Sequence, residues 1–158
     1  MNKIKRSIIF LIVALGVAGC NSSQSSPDKE VIMKVVNSFN AAFSAEDAEG
    51  VGMLLSNDPS FVFFGTGANE IQTSSQQFLD KHQAEDWALL DEIGFGPIEH
   101  LNVQSSPELA VVIYQTSLNF KIDGEQTSLP VRLVLTLVNE NGIWRIRQGL
   151  ASQIAQQA

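Results

Sequence analysis

Apolar residues recur at spacings of three and four through the first half of this chain and, from Ile93 onward, at every second position. That change of period predicts helices first and strands afterwards. Val31, Ile32, Val35, Val36, Phe39 and Phe43 fall on one stripe, which predicts an amphipathic helix opening near Pro27. Ser44 followed by Asp47 marks the N-terminus of a second, shorter helix through Leu55, weakened by Gly50 and Gly52 at up to about 1 kcal/mol each. Phe61-Val62-Phe63-Phe64 reads as a short buried strand. Ser74, with Gln77 three residues on, forms a capping box that opens a third helix carrying Phe78, Leu79, Trp87 and Leu90.

Four long strands are expected after that, at residues 93–105, 108–122, 125–138 and 142–150. Asp123-Gly124 and Asn141-Gly142 divide the last three, and such pairs predict type I′ hairpins because both central residues need positive φ. Alternation puts Val112, Tyr114, Leu118 and Phe120 on one face, with Leu129, Val131, Leu133, Leu135 and Leu137, and then Trp144, Ile146 and Leu150. Pro130 has no N–H for a ladder, which predicts a bulge or bend there. The sum is an α+β fold, a conical, curved antiparallel sheet of about four long strands plus a short strand pair, closed by three helices.

The N-terminus follows another pattern. Lys3, Lys5 and Arg6 precede an apolar run from Ile8 to Gly19, about a dozen residues, which is a signal-peptide length and short of the roughly 20 that span a bilayer. The run closes on Val17-Ala18-Gly19-Cys20, which holds the single cysteine of the chain. This sequence resembles the lipobox of bacterial lipoproteins. The resemblance implies cleavage before Cys20, lipidation of its thiol and an envelope address; with Asn21 next, that address is the periplasmic face of the outer membrane if the cell is Gram-negative. The organisation expected is a signal peptide at 1–19, a lipidated cysteine and flexible tether at 20–27, one domain at 28–152 and a frayed tail at 153–158. A tether of seven residues, Asn21 to Pro27, reaches at most about 25 Å.

Loss of the leader would take three basic residues, leaving Lys+Arg at 7 against 17 Asp+Glu and a net charge of about −10. So acidic a surface argues against nucleic acid and against electrostatic adhesion to anionic lipid. Membrane attachment would rest on the acyl chains. With Cys20 committed to lipid, no disulfide can form, and the core alone must hold the fold.

The order of elements, the stretch Phe61-Val62-Phe63-Phe64-Gly65-Thr66 with Glu70 soon after, and the closing Trp144-Arg145-Ile146 with Ser152 resemble the SnoaL-like domains of the nuclear transport factor 2 superfamily over about residues 28–152. The resemblance implies a conical pocket, frequent homodimers through the outer sheet face, and functions from isomerases and polyketide cyclases to binding domains without catalysis. Two positions depart from it. Leu150 stands where related domains often carry His, six residues after the closing Trp, and Ser74 where they often carry Gly. Loss of that His weakens any transfer of enzymatic chemistry.

Read directly, the ionisable inventory is thin. The chain has two histidines, His82 and His100. His82 lies four residues from both Phe78 and Asp86, so it is either a base oriented by a carboxylate beside an apolar pocket or a surface pair adding a few tenths of a kcal/mol. Glu99 shares parity with Phe95, Leu101 and Val103 and is either an acid inside the cone or a residue of its rim. His82, Asp86 and Glu99 are thus the catalytic candidates. Phe39, Phe43, Phe63 and Trp87 are the candidate pocket walls, with Tyr114 and Gln148 as polar groups presented to a ligand; ordinary core packing is the alternative for each. Arg132, Arg145 and Arg147 fall on the outward parity, suited to a dimer contact or to solvent. Phe64-Gly65-Thr66-Gly67 lacks the third glycine and βα crossover of a dinucleotide site. No metal-ligand spacing or serine-nucleophile motif occurs, and no cofactor is expected.

Three function classes follow. The first is a lipid-anchored domain that binds a small apolar molecule in the cone without catalysis. The second is an isomerase, cyclase or dehydratase using Asp86 or Glu99 with His82 or Tyr114. The third is an envelope protein-interaction module presenting the outer sheet or the cone mouth.

Overall fold

The computed structural model describes residues 29–155. The leader, Cys20, the tether and residues 156–158 lie outside the described residues.

Helix α1 (Lys29–Ser44) buries Ile32, Val36, Phe39, Asn40 and Phe43. Steps of three and four from Ile32 generate that stripe, and Val31, about 100° round the helix from Ile32, is 48% exposed. Helix α2 (Ala48–Leu54) is capped by Asp47, whose carboxylate accepts from the Gly50 amide at 2.9 Å. Ser44 takes another role. Its hydroxyl donates to the Asn40 carbonyl at 2.7 Å and accepts from the Phe95 amide at 3.0 Å, tying α1 to the sheet.

Strands β1 (Val62–Phe64) and β2 (Ile71–Gln72) form a short antiparallel pair. In α3 (Ser75–Ala84) the Ser74 hydroxyl accepts from the Gln77 amide at 3.2 Å, while Gln77 Oε1 accepts from the Thr73 amide at 2.9 Å, a reciprocal cap set one residue early. The third helix then breaks at Glu85, and a single turn, α4 (Asp86–Leu89), follows.

The remaining strands are β3 (Glu92–Phe95), β4 (Glu99–Ser105), β5 (Leu109–Ile122), β6 (Glu125–Glu140) and β7 (Ile143–Gln153). Sheet order is β2-β1-β7-β6-β5-β3, with β4 further along the same edge of β5. Both hairpin turns take the expected backbone, with φ of 50° and 81° at Asp123-Gly124 and 56° and 92° at Asn141-Gly142.

Four details differ from the sequence reading. The sheet is mixed, because β1 runs parallel to β7. The strand expected at 93–105 is two strands, interrupted at Gly96-Pro97 and again by a register shift between Glu99 and Asn102, where His100 adopts φ of 48°. Pro130 causes no bulge, since β5 and β6 pair without slippage from Leu109↔Val138 to Ile122↔Glu125. Its carbonyl accepts from the Ile154 amide at 2.9 Å, so its missing donor points towards β7 where that ladder ends. The bulge lies instead at Arg147, between the pairs Thr136↔Gln148 and Leu137↔Ile146. One extra residue reverses the parity of everything after it. Gly149 is therefore buried and Leu150 is 41% exposed.

The core lies between the concave sheet face and α1 and α2, where Val112, Tyr114, Leu135, Leu137 and Ile146 meet Ile32, Val36, Val51 and Leu55, all wholly buried. Each buried side chain of this kind contributes about 1.5–3 kcal/mol.

Candidate functional site

At one end of the concave face the helices fill the cone; at the other they leave it open. Leu118 and Phe120 of β5, Leu129, Val131 and Leu133 of β6 and Ala151 of β7 form the floor of a cavity of about 310 Å³. That size is at the lower end of small-molecule sites, roughly 300–1,000 Å³. Phe39 and Phe43 from α1, Phe63 from β1, Phe78 from α3 and Phe95 from β3 make the walls. The rings support one another, with centroids 5.2 Å apart for Phe43 and Phe95 and 4.9 Å for Phe63 and Phe78.

One side of the cavity is polar. Lys81 Nζ donates to Asp86 Oδ2 at 2.8 Å and pairs directly with Glu70, which the loop between β1 and β2 supplies. The break between α3 and α4 turns Asp86 back onto Lys81 and His82, and the same Oδ2 bonds His82 Nδ1. The imidazole is wedged against Phe78 and Phe43, at centroid distances of 4.3 and 4.9 Å. Glu70 also accepts from the Gly67 amide at 2.7 Å.

The charges in this cluster stabilise one another. Burial works to raise the Asp86 carboxyl, but hydrogen bonds from His82 and Lys81, with their charges, outweigh it and hold the group below its ordinary 3.8. Burial opposes ionisation of Glu70 as well, and the Lys81 and Gly67 hydrogen bonds bring it below 4.5. For Lys81, burial pulls the ammonium down, and its two carboxylates more than compensate, lifting it above 10.5.

The family profile of the SnoaL-like domain matches residues 32–156, which takes in both the cone and this cavity. The chain belongs to the SnoaL-like family. Solved structures share the fold. A nuclear transport factor 2-like superfamily protein from Salmonella enterica serovar Typhimurium superposes with a TM-score of 0.72 at 13% identity, over 82% of this chain and 92% of its own. A candidate dehydratase of the same superfamily from Streptomyces avermitilis gives 0.71 at 15%, over 80% and 96%. A candidate scytalone dehydratase from Novosphingobium aromaticivorans gives 0.69 at 12%, over 80% and 83%. At such identities the likeness concerns the fold alone. No curated protein matches the chain.

Within this SnoaL-like domain, Phe39, Phe43, Phe63, His82 and Asp86 converge on the cavity as a group. The other candidates lie elsewhere. Trp87 stands behind the wall, 5.5 Å from Phe43 by ring centroids, with its indole N–H buried and unpartnered. Tyr114 is wholly buried in the core, where its hydroxyl donates to Asn40 Oδ1 at 3.0 Å; burial pushes its phenol well above the ordinary 10.0, with the Asn40 bond pulling back. Gln148 is exposed, because the Arg147 bulge turns it to the outer face. Glu99 is exposed at the irregular start of β4 and does not line the cavity. Glu70, Gln72 and Lys81 also line the cavity, and the sequence pattern does not mark them as site residues. Their signal is weak: the first two depend on how β1 and β2 pair, and Lys81 on a helix break that periodicity does not show.

Among the described residues no three His, Cys, Asp or Glu side chains group as metal ligands. None of the described helices is long and apolar enough to cross a membrane.

Proposed function

We propose that this SnoaL-like domain holds a small, largely apolar molecule in its cone, and that lipid on Cys20 keeps it at an envelope membrane. The observation that carries the reading is the cavity itself, walled by phenylalanines and aliphatic side chains, with polar groups on one side only. Its charges are already engaged with one another, so they act as a fixed polar edge more than as free acids or bases. The chain from Asn21 onward, purified without lipid and analysed by native mass spectrometry before and after denaturing extraction, tests it. A retained apolar compound, or saturable uptake of one, is expected. A domain that takes up no apolar compound at any accessible concentration would refute binding. Anchoring has its own test: Cys20→Ser should abolish palmitate labelling and release the protein from the membrane fraction.

One observation favours a second reading, proton transfer of an isomerase or dehydratase kind. Asp86 fixes His82 through Nδ1, which leaves Nε2 for a bound molecule, the arrangement of an oriented base. The Streptomyces and Novosphingobium proteins are described as candidate dehydratases. In heavy water, such a site would exchange carbon-bound hydrogens of its bound compound, and His82→Gln would stop the exchange. Bound compound that keeps all its hydrogens returns the domain to binding alone.

A further inference from the structure

Gln72 is one of the two residues of β2, and the pairing of that strand decides where its side chain goes. Phe63 faces Gln72 and Phe64 faces Ile71 across the β1–β2 ladder. Phe64 and Ile71 point outward, 40% and 54% exposed, whereas Phe63 and Gln72 are buried on the cavity side. Gln72 is only 6% exposed and lines the same cavity as Phe63. Its carboxamide carries two donor hydrogens and an acceptor oxygen, and no group among the described residues bonds any of them.

The neighbouring polar groups are already occupied. Glu70 holds Lys81 and the Gly67 amide, Asp86 holds Lys81 and His82, and Gln77 accepts from Thr73. With no bond from the described residues, the Gln72 carboxamide takes its partners from what the cavity contains, water or a bound molecule. The charges limit what that is. The two cations at this edge, Lys81 and His82, are already paired with Glu70 and Asp86, so an entering carboxylate or phosphate would find no free cation there and two carboxylates close by.

We infer that Gln72 selects the ligand, and that the ligand is a neutral, mostly apolar molecule bearing an amide or lactam whose carbonyl and N–H pair with the Gln72 carboxamide. Two amides joined this way form two hydrogen bonds in one plane, each donor meeting an acceptor. This inference rests on the binding reading above and adds the chemical class of what is bound.

Three probes sharing one ring system test it: naphthalene, 2-naphthamide and 2-naphthoate. Each is titrated by NMR into the chain from Asn21 onward, as wild type, Gln72→Met and Gln72→Glu, with the spectrum itself reporting that each variant is folded. The affinity for naphthamide relative to naphthalene is expected to fall roughly tenfold or more on Gln72→Met. Gln72→Glu, which keeps the size but loses the donor, should also weaken naphthamide, and wild type should bind naphthoate less well than naphthamide. A ratio that does not move in either variant overturns the role of Gln72, and naphthoate bound as tightly as naphthamide overturns the neutral class. If naphthalene fails to bind every protein, the binding reading fails and takes this inference with it, an outcome distinct from loss of the amide preference alone.

Discussion

Lys81 is a cation shared by two carboxylates from separate elements, and removing it leaves Glu70 without its charge partner and Asp86 with His82 alone. Lys81→Met should therefore destabilise the domain by about 1–3 kcal/mol, less than the roughly 3–5 of a fully buried pair because water partly screens the site. Urea unfolding at neutral pH measures the loss. The pH dependence follows from the directions of the shifts. Glu70 and Asp86 have lowered folded values, so their contribution is complete above their ordinary 4.5 and 3.8 and disappears as pH falls through the folded ones. Lys81 has a raised folded value, so its contribution is complete below 10.5 and is lost as pH rises through the folded one. Wild type should show a stability plateau between these limits, and Lys81→Met should flatten both edges; edges of equal steepness in the two proteins would contradict the assignment. Gly149 is constrained by shape instead of charge. A methyl group there would overlap the Phe63 ring, which lies across β7. Gly149→Ala is expected to cost about 1–3 kcal/mol, and Phe63→Leu in the same chain should recover much of it, a coupling that a double-mutant cycle reads directly.

Among the described helices, α4 is the shortest. Its four residues include none that is buried, and no side chain caps its N-terminus. It is held by two backbone bonds, by the grip of Lys81 and His82 on Asp86, and by the Trp87 ring against Phe43. The Leu89 and Leu90 amides should exchange with solvent roughly tenfold or more faster than those of α3 between Phe78 and His82, and Asp86→Asn should speed them further. Equal protection across the two helices would show α4 to be part of one rigid unit. The elements also show where the sequence could be read and where it could not. Asp123-Gly124 and Asn141-Gly142 set their hairpins locally, and the stripe from Ile32 to Phe43 set α1, because each signal involves residues that touch through the same element. The Arg147 bulge has no local signature, since it depends on β6 offering one residue where β7 offers two, and simple alternation therefore puts Leu150 and Gln148 on the wrong faces. His82 and Asp86 were visible as a pair by their spacing. Glu70 and Gln72 reach the cavity through the pairing of β1 with β2 and β7, which short-range pattern does not encode.

At the scale of the whole molecule, one domain is divided between a packed end and an open one. Tyr114 and its bond to Asn40 close the first; at the second, β7 presents small side chains, and the reason lies in counting. With strict alternation along β7, Gln148 and Leu150 would project into the cone after Trp144 and Ile146. The residue inserted at Arg147 exchanges them for Gly149 and Ala151. A shift of phase thus sets two small residues on the inner face at this end of β7. Deleting Arg147 should restore the simple rhythm and drive a glutamine and a leucine into the space. The expected result is a domain that keeps its far-ultraviolet strand signal and no longer takes up naphthalene; undiminished uptake would mean that the room in the cone has another origin.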